Sequence, residues 1–231
     1  MIGFEAGKTG LWIPPDRGSA GGPPPLILFL HGIGERGCGG PELARVAAWG
    51  LPKLRTTNGL TNESGFPFLV VAPQCPPDRH WCDREMRDAV AALVDHLVAT
   101  GAADPARLYL AGFSMGGIGS FCIALDRPLQ FAALVSVCGA CEDQPERLPE
   151  LAHLPMWIAY GEDDEIERLT RGSKDVVARL SRFGRLVERP FCVGRAGNIG
   201  AHPRTADAAF AETALYHWLL DPRHARPPSG P

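Results

Sequence analysis

Short apolar runs alternate with stretches of helical spacing through most of the 231 residues, and few architectures accept that pattern. "LILFL" at 26–30 offers no polar side chain to turn toward water, as a strand buried on both faces requires. Comparable runs are "FLVVA" (68–72), "RLYLAG" (107–112), "FAALVSV" (131–137), "PMWIAYG" (155–161) and "RLVERPF" (185–191). Between them, residues 84–100 place Met86, Val90, Leu93, Val94, Leu97 and Val98 on one helical stripe. Residues 41–54, 115–125, 166–183 and 205–219 also read as helices. Crossovers of that length suit parallel pairing, so the expected class is α/β: a doubly wound, mostly parallel sheet with helices on both faces. "PPDRGSAGGPPP" (14–25) breaks regular structure ahead of the first run. The length and the 45% hydrophobic content suit one domain over residues 1–222. "RHARPPSGP" (223–231) lacks apolar anchors and reads as a disordered tail.

Charge narrows the partners. The 23 basic and 26 acidic residues are interspersed and leave a formal net charge of -3, so no polycationic face for nucleic acid or anionic lipid is expected. No apolar run approaches the roughly 20 residues of a membrane span, and "MIGFEAGKTG" has no basic start followed by an apolar stretch. Seven cysteines (Cys38, Cys75, Cys82, Cys122, Cys138, Cys141, Cys192) are scattered without metal-ligand spacing. The expectation is reduced thiols in a cytoplasmic protein, with Cys75 and Cys82 the pair near enough in sequence to bridge a loop.

"GFSMGG" (112–117) follows the run at 107–112 and enters the helical stretch that begins near Met115. Strand, sharp turn and helix are what the pattern Gly-x-Ser-x-Gly needs, because the serine occupies a strained turn and its flanking glycines avoid collision. Ser114 is thereby raised at the carboxyl edge of the sheet, and the Met115 N–H at the helix start is aimed at an oxygen that becomes negative during acyl transfer. A serine hydroxyl needs a base near neutral pH, and the base needs a group that holds its tautomer. His217 falls within a helical stretch and His224 in the tail, which leaves His202, in the loop "GRAGNIGAHPRT", as the candidate base. For the acid, "YGEDDEIE" (160–167) offers Glu162, Asp163, Asp164, Glu165 and Glu167, most of them suited to a helix amino terminus. "LFLHGIGERG" (28–37) ends the first central strand in a glycine-rich loop, where the Ile33 N–H is the candidate second oxyanion donor. His31 reads as a structural hydrogen-bonding residue of that loop rather than a base.

With these segments in place the chain resembles the α/β-hydrolase superfamily, in particular its small serine esterases of the phospholipase/carboxylesterase, dienelactone-hydrolase-like and feruloyl-esterase types. "LFLHGIGERG", "VVAPQCPPDRHW" (70–81), "DPARLYLAGFSMGG" (104–117) and "WIAYGEDDEI" followed by "GAHPRTADAAFAETALYHWLL" carry the likeness over about residues 26–220. Dienelactone hydrolases proper have cysteine at the elbow, where this chain has serine. The resemblance implies a cap-less hydrolase that cleaves carboxylic esters through an acyl-enzyme, with no cofactor or metal. Its Gly-x-x-Asp spacing places the acid on Asp164, beside Ser114 as nucleophile and His202 as base. It also puts Trp81 at the border of the substrate cleft, where plain packing is an equal alternative. The implied partner is a small-molecule ester, and the implied assembly a monomer or homodimer.

Overall fold

The computed structural model describes residues 3–16, 22–57, 60 and 65–221. Part of the 14–25 loop, and the tail expected at 223–231, lie outside them. Seven strands make one sheet: β1 (Gly10–Ile13), β2 (Leu26–Leu30), β3 (Leu69–Pro73), β4 (Leu108–Phe113), β5 (Ala133–Val137), β6 (Met156–Gly161) and β7 (Leu186–Phe191). Their order across the sheet is β1-β3-β2-β4-β5-β6-β7. All neighbours are parallel except β1, which pairs antiparallel with β3 at the edge. The six expected strands are present to within two residues, and β1 is the addition.

Alternation within the apolar runs feeds two cores. Leu26, Leu28 and Leu30 of β2 enter one, with Met86, Val90 and Val94 of α2 (Arg84–Ala99), Phe121 of α3 (Met115–Asp126) and Val176 of α4 (Glu167–Leu180). Ile27 and Phe29 face the other, with Leu51 of α1 (Gly50–Thr56), Phe210 of α5 (Ala201–Ala211) and Leu215 of α6 (Thr213–Leu219). Helices therefore cover both faces, the doubly wound α/β arrangement expected of such strands. Among the described residues no helix is long and apolar enough to cross a membrane.

Two expected helices are each split. Residues 41–54 form a 3₁₀ helix (Gly40–Ala47) and then α1, because Gly50 takes φ 67° and gives its N–H to Asp207 Oδ1 at 2.8 Å. Residues 205–219 span the end of α5 and all of α6, which meet at Glu212 in extended geometry (φ -68°, ψ 111°). The Glu212 carboxylate pairs with Arg189 of β7 and holds the break. The thiol expectation is also corrected. Cys82 and Cys122 form a disulfide, tying the segment after β3 to α3, while Cys75 is free and buried.

Candidate active site

The turn that carries Ser114 is built by close backbone contact at the centre of the sheet. Ser114 has φ 55° and ψ -117°, a conformation that costs a non-glycine residue roughly 1–3 kcal/mol and persists only where its surroundings enforce it. Here the Ser114 N–H donates to Val137 O at the end of β5 (2.9 Å). A Cβ at Gly112 would overlap the Gly116 carbonyl, and one at Gly116 would overlap the carbonyl of Leu30. The second contact sets the first turn of α3 against the end of β2, so Met115 and Ile33 begin neighbouring helices at the same sheet edge. Each is the first residue of its helix, where the backbone N–H has no intrahelical acceptor.

Three side chains meet there in a line. The Ser114 hydroxyl lies 2.9 Å from His202 Nε2, and His202 Nδ1 lies 2.6 Å from Asp164 Oδ2. With Nδ1 protonated, Nε2 is free to accept the serine proton. Asp164 is buried, which pushes its pKa upward, but hydrogen bonds from His202 and from the Ile166 N–H outweigh burial and leave it lowered. Asp163 turns away and accepts from the Gly194 N–H at 2.5 Å. His202 is not in the loop itself but in the first turn of α5. Phe113 lies against its ring, with centroids 4.9 Å apart.

The loop after β2 is held from below. His31 is buried, its Nδ1–H donates to Gly32 O (2.7 Å) and its Nε2 accepts from the Cys75 N–H (3.0 Å). Burial pushes its pKa down to about 4, which keeps the ring neutral and suits this two-way bonding. Trp81, expected at the cleft border, is 0% exposed and gives its indole N–H to His31 O at 2.9 Å. That placement is a correction: the indole supports the loop from within the core and has no surface to offer a substrate. Gln74 completes the support by donating to Glu35 O (3.0 Å) and Glu42 O (2.8 Å) and accepting from the Gly39 N–H (2.9 Å).

Three further residues gather here, among them Glu165, which the sequence offered as a candidate acid. Glu35 is buried and accepts from the Gly32 N–H at 2.6 Å, and burial raises its pKa to about 7 against the opposing pull of that N–H and of His202. Glu165 does not serve its own helix; it accepts from the backbone N–H groups of Ala201 (2.8 Å) and His202 (3.0 Å). Cys138 has φ 49°, and ligand atoms of Cys138, Asp164 and His202 lie within 4.8 Å of one another. Burial first, then the Asp164 charge, pushes that thiol well up in pKa. The thiol thus adjoins a carboxylate already engaged with the imidazole. The motif around Ser114 carried no signal for any of these three.

The sequence profile of the prolyl oligopeptidase family matches residues 77–144, the stretch that contains Ser114. NocK of Nocardia uniformis subsp. tsuyamanensis, a protein named as an esterase, is 32% identical over 148 residues, covering 62% of this chain and 40% of NocK. A crystal structure of a thermostable esterase superposes with a TM-score of 0.69 at 26% identity, over 92% of this chain and 58% of that one. The fluorophosphonate-binding serine hydrolase F of Staphylococcus aureus, with substrate bound, gives a TM-score of 0.62 at 15% identity, over 93% and 92%. The fold is thus that of the α/β-hydrolases, and the chain spans less than two thirds of the length of NocK and of the thermostable esterase.

Proposed function

We propose that the chain is a serine hydrolase that cleaves carboxylic esters carrying short acyl or aryl-acyl groups, with Ser114 as nucleophile, His202 as base and Asp164 as the orienting carboxylate. The observation that carries this reading is the unbroken hydrogen-bonded line from the Ser114 hydroxyl through both nitrogens of His202 to Asp164. His202 Nε2 takes the serine proton as Oγ attacks the ester carbonyl, and Asp164 stabilises the imidazolium that results. The Ile33 and Met115 N–H groups receive the oxyanion. Collapse of the tetrahedral adduct passes the proton to the leaving alcohol. Water, deprotonated by His202, then releases the acid from Ser114.

A peptidase or thioesterase would use the same three residues, and the prolyl oligopeptidase match over 77–144 favours the peptidase as second reading. Parallel assays on a 4-nitrophenyl ester and a 4-nitroanilide of one acyl group separate the two. In place of the expected cytoplasmic setting, the Cys82–Cys122 bridge favours an oxidising compartment.

A fluorophosphonate probe combined with ester turnover tests the chemistry. Stoichiometric labelling of the wild type is expected, with Ser114→Ala unlabelled. Ser114→Ala and His202→Ala should each lower kcat by roughly 10⁴ or more, and the double variant should be little worse, because such residues act as a unit. An unlabelled, inactive wild type would reject the hydrolase in favour of a ligand-binding protein on the same fold.

A further inference from the structure

Four consecutive carboxylates follow β6, and the last three, Asp163, Asp164 and Glu165, each bond the segment that delivers His202. Asp163 takes the Gly194 N–H, Asp164 takes the imidazole Nδ1–H, and Glu165 takes the N–H groups of Ala201 and His202. We propose that Glu165 is a positioning residue for His202, fixing the backbone of the residue whose ring Asp164 fixes.

The first N–H groups of a helix have no partner within it and are usually satisfied by a side chain at the preceding position. Gly200 holds that position before α5 and has no side chain to give. Its backbone is extended (φ -70°, ψ 170°), so glycine is not there for its conformational freedom. A Cβ at residue 200 would instead overlap the Glu165 carboxylate. The missing side chain leaves the room through which a carboxylate 36 residues earlier caps α5. Hydrogen bonds from its own N–H and from that of His202 lower the pKa of Glu165, so the cap is anionic at neutral pH, as the amino end of a helix favours. Arg195 stands 3.8 Å from the same carboxylate.

The consequence is geometric. Asp164 alone constrains the imidazole about its Nδ1 end, leaving Nε2 free to swing wherever the first turn of α5 tilts. With Glu165 holding the backbone, His202 is held at its main chain and at its ring by adjacent residues of one turn, and Nε2 is kept against Ser114. An error of about 1 Å in such a contact costs on the order of 100-fold in rate.

The inference rests on His202 acting as the base, so Ser114-dependent labelling and turnover of the wild type are measured first; their absence rejects the hydrolase reading itself and this inference with it. Glu165→Ala is then expected to lower kcat and the labelling rate by about 10- to 100-fold with KM little changed. Glu165→Gln keeps the shape and one acceptor, so it should fall between Ala and wild type, and it carries the test if the alanine variant does not fold. Gly200→Ala, which displaces the carboxylate without removing it, should reproduce the loss. In a His202→Ala background, adding Glu165→Gln should change the residual rate by less than about twofold. Unchanged kcat in both Glu165 variants, or an equal loss in the His202→Ala background, would overturn the proposal.

Discussion

At Asp164, burial pushes the carboxyl upward, while the bonds from His202 and the Ile166 N–H bring it below its ordinary range, so it stays ionised where an imidazolium forms. Asp164→Asn is therefore expected to cost roughly 10³ to 10⁴ in kcat by favouring the wrong imidazole tautomer, whereas Asp163→Asn stays within about tenfold of wild type. Steady-state kinetics of the two variants decide between them, and the reverse ranking would move the acid. Glu35 behaves differently, its pKa being raised by burial from 4.5 to about 7. An acid whose pKa is higher in the folded than in the unfolded state takes up a proton on folding between the two values, and its stabilisation is lost as pH rises through that window. The wild type should thus lose stability relative to Glu35→Gln between about pH 4.5 and about pH 7, read from urea midpoints across that range. A difference independent of pH would mean that Glu35 titrates as a solvated carboxylate. The meeting of Ser114 and His202 could be anticipated from sequence because a strand-turn-helix pattern and chain order are local signals. Choosing between Asp163 and Asp164 required the resemblance, since composition says nothing of which way adjacent side chains point. The roles of Gln74 and Glu165 were not legible, although Glu165 stood among the candidate acids, because each acts on backbone that another part of the chain delivers; Glu35 bonds Gly32 within its own loop, and nothing local marked its burial.

The strands were the readable elements, for burial on both faces leaves a continuous apolar run with a clear start and stop. Helix breaks were harder. The one before α1 had a signal in "AWGLP", where glycine and proline interrupt the periodicity. The one at Glu212 had none, since it depends on Arg189 of a neighbouring strand. The disulfide was equally hidden: Cys82 and Cys122 are 40 residues apart and meet only because α3 packs beside the segment after β3. Trp81 adjoins Cys82 and lies against Gly119, where a Cβ would overlap it, so the bridge fastens the indole that supports His31. Closing a loop of 40 residues is worth at most about 4 kcal/mol through restriction of the unfolded chain. Reduction, or Cys122→Ser, is expected to lower the unfolding free energy by up to that amount, read from the denaturation midpoint, while leaving kcat within several-fold. Equal midpoints for reduced and oxidised protein would remove the bridge from the stability of the elbow region.

On the scale of the whole molecule, the connection from β5 to β6 decides access to the site. It contains a short 3₁₀ helix, Pro145–Leu151, whose Leu148 and Leu151 are buried in the core rather than laid over Ser114. The loops that carry the site expose Ile33, Ile166 and Ile199 instead. With no lid in that connection among the described residues, each added methylene of an acyl chain is expected to gain less than the roughly 0.8 kcal/mol of full burial. We expect kcat/KM on 4-nitrophenyl esters to peak between two and about six acyl carbons; preference for palmitoyl over butyryl would refute this and point to a lipid substrate. The spacing along the chain of the residues proposed to react has its own consequence. Ser114 and His202 are 88 residues apart; the serine turn is held against β2 and β5, while His202 arrives on α5. On the proposed reading the nucleophile and its base therefore belong to separately docked elements. The serine would be reactive only while α5 is seated, and an excursion that lifts α5 away would silence it.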